Sequence, residues 1–253
     1  MNLFSHLTDP ANWTGSDGLG QRIGQHLAYS GLSLLLAAVI AIAIGIAIGH
    51  TRRGNVLVAG ISNATRAIPT LGLLVLVVVW LGTGLGPVVI ALAVLAIPPI
   101  LNATVAGFRT ADPSAVFAAK AMGMTPWQVI SKVELPLSLP LIVSGLRSAS
   151  LQVIATATVA ALAGSEGLGR LVVDGQRRGT GGYPEMFAGA LLVALLAILV
   201  DVLLGTLAWA LERRGRGTHS RLGDEVDSDE VADGTSASGD ATGMIGASTT
   251  DRQ

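Results

Sequence analysis

Long uncharged stretches alternate with short charged ones along this chain, and their lengths set the first expectation. Residues 27–49 are 23 consecutive residues without a charge, closed by His50, Arg52 and Arg53. About 20 apolar residues suffice for a helix to cross a bilayer, so this is a first span. Residues 67–108 are 42 uncharged residues, too many for one crossing. The turn-forming run 82–87, Gly-Thr-Gly-Leu-Gly-Pro, divides them into a span ending near Leu81 and another starting near Pro87. Residues 135–165 carry one charge, Arg147, and residues 186–211 carry one, Asp201. The pattern predicts an all-α membrane protein with about five spans. Between the last two spans, residues 164–185 read as a loop rich in glycine and charge.

The segment between the third and fourth spans is different. Residues 112–136 read DPSAVFAAKAMGMTPWQVISKVELP, with Lys120, Lys132 and Glu134 keeping it out of lipid. Asp112 is a good N-cap, and Pro113 stands where a first helical turn tolerates proline. Gly123 suits a left-handed C-cap, and Thr125 with Gln128 forms a capping box for a second helix. That helix should end near Pro136, because proline disfavours helix in the residue before it. The expectation is a soluble elbow of two short helices with a glycine hinge. Trp127, Val129, Ile130 and Val133 give its second helix an apolar side, for docking a partner or for packing on its own bundle.

Composition agrees with a membrane chain. Of 253 residues, 51% are hydrophobic and 13% charged, against roughly 25% charged in soluble domains. The chain has no cysteine, which excludes disulfides and thiol chemistry. The net charge of −1 hides an asymmetry: residues 222–253 hold eight acids and one base, leaving fifteen Lys+Arg against nine Asp+Glu elsewhere. Such an excess suits anionic lipid headgroups better than nucleic acid. Basic residues also orient the spans. One side collects Arg52, Arg53, Arg109, Lys120, Lys132, Arg213, Arg214, Arg216 and Arg221; the other collects Arg22, Arg170, Arg177 and Arg178. The richer side is cytoplasmic, placing the elbow and C-terminus inside. The chain then divides into an external segment (1–25), a membrane domain (26–213, elbow loop 110–136) and an acidic cytoplasmic tail (214–253). The tail lacks large apolar residues and reads as disordered. No cleaved signal peptide is evident at the N-terminus.

Arg66, Asn102, Arg147, Gln152 and Asp201 are polar groups inside or at the edge of apolar spans. Charges at membrane depth cost at least about 2.5 kcal/mol each, so they face the protein interior and find partners. Asp201 precedes Glu212 by eleven residues, about 16 Å along a helix. Its candidate partners are Arg147 and Arg66, and a packing ion pair is a simpler reading than a transport role. Proline breaks at Pro69, Pro98-Pro99 and Pro140 are kinks first and binding sites second. The Gly82–Gly86 run lacks the Lys-Ser/Thr of a phosphate loop. No nucleophile motif is present, and the four histidines lack metal-ligand spacing. No cofactor is expected, and an enzyme has little support.

The elbow resembles the cytoplasmic loop of permease subunits of binding-protein-dependent ABC importers. That loop reads Glu-Ala-Ala, three residues, Gly, nine residues, Ile, one residue, Leu-Pro. Ala118, Ala119, Gly123, Val133, Leu135 and Pro136 fall at those spacings, with Phe117 in place of the Glu and Val133 in place of the Ile. Residues 66–86, 97–109, 122–149 and 157–175 further resemble the branch that takes up glycine betaine, choline and carnitine. The resemblance implies a type I importer permease that works as a dimer with a second permease, the same or a related chain. It also implies a separate ATP-binding subunit below, an external substrate-binding protein above, and an inner-membrane location. It implies an ATPase-coupling role for Ala118, Ala119, Gly123, Trp127, Ile130, Leu135 and Pro136. Arg66, Arg147 and Asp201 remain intramembrane polar groups for packing or pathway. The alternatives are a permease for an amino acid or oxyanion, a membrane receptor or scaffold, and an intramembrane enzyme. Trp80 alone among ten aromatics adjoins the external turn. No aromatic cage can be assembled, so selectivity is expected in the binding protein and a mostly apolar path here.

Overall fold

The computed structural model of the chain describes residues 3–234, with side chains described through Leu211 except at residues 55, 57, 65 and 66. Every regular element in that range is helical. A short α1 (Ser5–Thr8) and a 3-10 turn (Pro10–Trp13) lead into α2 (Leu19–Thr51). At 1.5 Å per residue α2 is about 50 Å long, longer than the first uncharged run, and residues 19–25 are helical in its first turns. Ser33, Ala37, Ala41, Gly45 and Gly49 recur every fourth residue along α2, and all are buried. A Cβ on Gly49 would stand 2.5 Å from the Phe108 Cβ, and one on Gly45 2.6 Å from the Thr104 Cβ. Small residues let membrane helices approach closely where lipid supplies no hydrophobic drive between them.

Then come α3 (Asn55–Ala67) and α4 (Thr70–Leu81). Pro69 holds Ile68 in an extended conformation and breaks the helix there. Alone, the twelve residues of α4 reach about 18 Å, short of a hydrocarbon core of about 30 Å. The span expected over 67–81 is therefore two helices in series, both packed on α5 (Leu85–Thr110). This helix is the hub of the bundle, touching α2, α3, α4 and, after the elbow, α8 (Leu135–Ala160). Its Val88, Leu92, Ile100 and Leu101 meet Ala149 and Val153 of α8 and Leu74 of α4 in the main core. Among the described residues, four helical runs are long and apolar enough to cross a membrane: Leu19–Thr51, Leu85–Thr110, Pro126–Ala163 and Gly179–Leu211.

Between α5 and α8 lie α6 (Pro113–Ala121), α7 (Pro126–Val129) and a π-turn (Ile130–Glu134). The second elbow helix does not end at Pro136 as expected. The π-turn lets the Leu135 N–H bond to the Ile130 carbonyl, five residues back, and the helix runs on through Pro136 without interruption, from Pro126 to Ala163. After α8 comes α9 (Leu168–Arg177), in the segment read as a loop. Its Leu168 and Leu171 join Leu19, Ile154 and Leu196 in a second cluster. The last helix, α10, is Tyr183–Gly234. Its backbone carries helix through residues 214–234, read from composition as disordered; a formed helix extends at one bond per residue without a new nucleus. The rest of the tail lies outside the described residues. The chain divides into two units between Trp209 and Ala210, and the bundle core, the elbow and the cavities all belong to the first.

Candidate functional site

The elbow is built as its sequence dictates up to the π-turn. The Asp112 carboxylate caps α6, accepting from the Ser114 N–H at 2.9 Å and the Ser114 hydroxyl at 2.7 Å. At the other end Gly123 has φ +81°. Its N–H donates to the Lys120 carbonyl, and the Met124 N–H to the Ala119 carbonyl. These are the two bonds of a Schellman cap, which needs the left-handed conformation at Gly123. No atom lies within 4 Å of where a Cβ would project, so the constraint is backbone sign and not crowding. Thr125 and Gln128 exchange side-chain and backbone hydrogen bonds in a complete capping box.

The elbow has its own small core. Val116, Ala119 and Val129 are buried against one another, with Met124 and Val133 around them. Of the apolar side expected for docking, Val129 and Val133 are therefore used internally. What points outward is Trp127, 73% exposed, together with Phe117 and Met122 at 75% and 70%. Ala118, Gly123 and Pro136 are also exposed, whereas Ile130 and Leu135 are half-buried. Met122 is not a motif residue, and Phe117 enters the motif only as a departure from its Glu. Their signal is that large apolar side chains stand at solvent positions of a capped helix.

The elbow is tied to the bundle at its exit. Glu134, in the π-turn, is only 5% exposed, and its Oε2 lies 2.6 Å from Nδ1 of His50 in the last turn of α2. A buried carboxylate requires such a partner. The pair joins the first span to the point where elbow becomes span.

Along the spans the charges sort clearly, and the intramembrane pair lies on the outer side of the helices and not in their core. Asp201 on α10 pairs with Arg147 on α8, both guanidinium Nε and Nη2 reaching its two carboxylate oxygens, the latter at 2.6 Å. Of the two candidate partners, Arg147 is the one that meets Asp201; the Arg66 side chain lies outside the described residues. Gly205 leaves room for the guanidinium, which would lie 3.5 Å from a Cβ there. At the opposite end, Arg22 is nearly buried among Asp17 (3.3 Å), Glu166 (3.5 Å) and Asp174 (4.0 Å). Arg170 and Arg177 also meet Asp174, and Arg178 meets Glu185 at 2.7 Å. Each of the four basic residues assigned to the outer side thus has an acid beside it.

The proline breaks enclose space. A cavity of about 320 Å³ lies where Pro98 and Pro99 of α5 face the Ile68 break and α8. Ser62, Thr70, Asn102, Ser148 and Gln152 line it with Leu95. Pro99 has no N–H for the Leu95 carbonyl, and Gln152 Nε2 donates to that carbonyl at 3.3 Å. The Ser62 hydroxyl donates to Asn102 Oδ1 at 2.9 Å. Trp80 is 85% exposed on α4 and is not part of this lining. Among the described residues no cluster of His, Asp or Glu could hold a metal ion.

A multi-pass helical bundle around a central proline-bearing helix, carrying a capped two-helix elbow between spans, is the architecture of type I ABC importer permeases. Residues 37–216 match the binding-protein-dependent transport system inner membrane component family, and the chain belongs to that family. It is 36% identical over 205 residues to the carnitine transport permease protein OpuCD of Listeria monocytogenes, covering 81% of this chain and 91% of that one. It is 35% identical over 211 residues to the choline transport system permease protein OpuBD of Bacillus subtilis, covering 83% and 92%. Among solved structures, the MetNI methionine ABC transporter in inward-facing conformations is similar at TM-score 0.66 and 26% identity, covering 76% of this chain and 95% of that one. The protein is thus a multi-pass inner-membrane transport component. Family membership implies an ATP-binding subunit and a substrate-binding protein as partners.

Proposed function

We propose that this chain is the permease subunit of an ABC importer for quaternary-amine osmoprotectants such as glycine betaine, choline and carnitine. The observation that carries the reading is the identity to carnitine and choline permeases over four-fifths of the chain. The elbow supports the mechanism. Its own core makes it a rigid body, while Trp127, Phe117 and Met122 offer apolar anchors to the ATP-binding subunit. Closure of that subunit would push the elbow, and the continuous helix from α7 to α8 and the His50–Glu134 pair would carry the push into two spans. A second permease subunit completes the complex, with the N-terminus outside and the C-terminus in the cytoplasm. Arg147 and Asp201 act in packing and not in the pathway.

The test is uptake. In a strain without a redundant system, radiolabelled choline and glycine betaine uptake should depend on this gene and rise with medium osmolarity. A second reading, an amino-acid permease, is favoured by the likeness to the methionine transporter. Loss of amino-acid uptake on deletion, with quaternary amines entering normally, would establish that reading instead. Trp80→Leu should lower the rate modestly without changing which solutes compete, since Trp80 stands apart from the polar cavity.

A further inference from the structure

We propose that the cavity at the proline breaks is the mid-membrane station of the transported solute, and that it holds a small zwitterion or cation by neutral oxygen and amide dipoles. The inference rests on the osmoprotectant permease reading and extends it to a site. Its depth is the first argument. Pro98 and Pro99 lie about halfway along α5, roughly 20 Å from either end. Facing that level, the break between α3 and α4 at Ile68 lines the same cavity, and discontinuous helices near the membrane midplane are where transporters build substrate sites, because broken backbone there must border protein or a polar cavity.

The lining is the second argument. Polar groups at this depth are costly and normally packed against partners. Ser62 is paired with Asn102 and Gln152 with the Leu95 carbonyl, and with Thr70 and Ser148 these side chains border open space of about 320 Å³, at the lower end of the roughly 300–1,000 Å³ of ligand pockets. Among the described lining residues there is no charge and no aromatic ring. A quaternary ammonium cannot donate hydrogen bonds, and without ring faces it is met by electronegative oxygens: amide oxygens, hydroxyls and backbone carbonyls loosened by Pro98 and Pro99. The carboxylate of a betaine is met by hydroxyl and amide donors of the same side chains. A net-neutral lining also lets the solute leave, as a fixed counter-charge would not.

An exit is the third argument. Ser62 and Asn102 also line a second, more open cavity of about 470 Å³ that runs between α3 and α5 past Asn63 and Ala106 to Arg109. These two residues stand at the junction of the station and a route toward the end of α5 where the elbow begins.

The experiment uses the complete transporter, permease with its ATP-binding subunit and binding protein, in proteoliposomes, with radiolabelled choline and glycine betaine. Asn102→Asp places a carboxylate at the junction and favours the cation over the zwitterion. The choline-to-glycine betaine uptake ratio should rise about fivefold. Asn102→Leu should cut uptake of both about tenfold while binding-protein-stimulated ATP hydrolysis persists. Ser148→Leu, which fills the cavity from an exposed position of α8, should do the same and serves if the Asn102 variants fail to assemble. An unchanged ratio in Asn102→Asp, wild-type uptake in Ser148→Leu, or parallel loss of uptake and ATP hydrolysis would each overturn the proposal. If the wild-type complex takes up neither solute, the osmoprotectant reading fails; if it takes up both and the variants match it, only the cavity does.

Discussion

Gly123 shows how much one residue can hold. Its φ of +81° closes the Schellman cap, and nothing crowds its missing side chain. Gly123→Val therefore acts through backbone strain alone, roughly 1 kcal/mol or more. The variant should insert normally but lose transport and substrate-stimulated ATP hydrolysis in the assembled complex; normal coupling in vesicles would show that the hinge is not part of the transmission. Asp201 poses a different question at the same scale. Asp201→Asn leaves the Arg147 guanidinium without its carboxylate at membrane depth, so less permease should accumulate in membranes. The double variant Arg147→Gln, Asp201→Asn should recover much of it, as a double-mutant cycle on protein levels would reveal. A single-variant loss that the double variant does not relieve would point to a pathway role. The residue types at both positions were legible in sequence; the choice of Arg147 as partner needed the register of α8 against α10.

Among elements, the elbow divides its apolar residues between two jobs. Val129 is fully buried in the elbow core, and Trp127 stands out from it. Trp127→Ala should weaken association with the ATP-binding subunit by about 2 kcal/mol, roughly thirtyfold, without loss of thermal stability. Val129→Ala should do the reverse, costing about 2 kcal/mol of elbow stability with a smaller direct effect on docking. Pull-down affinity and thermal denaturation in detergent separate the two, and a Trp127 variant that binds normally would move the docking surface elsewhere. Caps were readable here because Asp112, Gly123 and the Thr125–Gln128 pair act within one turn. The continuation through Pro136 was not, since a π-turn that absorbs a proline is stabilised by the bundle it feeds and by Glu134 reaching His50, 84 residues away. Likewise α9 was hidden by Gly169 and Gly175, which weaken helix propensity, and it forms because Leu168 and Leu171 find Leu19 and Ile154.

For the whole molecule the open prediction is orientation. A reporter active only in the cytoplasm should give signal when fused after Gly215 and none after Gly175; the opposite pattern would invert the assignment of the elbow and of the Arg22 network. Both fusions read the asymmetry of basic residues, which acts on insertion before any fold exists. Uncharged runs, caps, turn glycines and that charge bias are local quantities, so the sequence alone determined the helical class, the elbow and the family it resembles. Tertiary structure alone decided what depends on contact between distant segments. It split the second span at Pro69, set the small-residue stripe of α2 against α5, and chose Arg147 for Asp201. It also gathered Ser62 and Thr70 with Asn102, Ser148 and Gln152 around one cavity. Those residues are scattered over some ninety positions of sequence, and a hydroxyl or amide in an apolar run looks the same whether it packs or lines a path. The difference lies in whether a neighbouring helix fills the space beside it, and among the described residues none does at Pro98-Pro99.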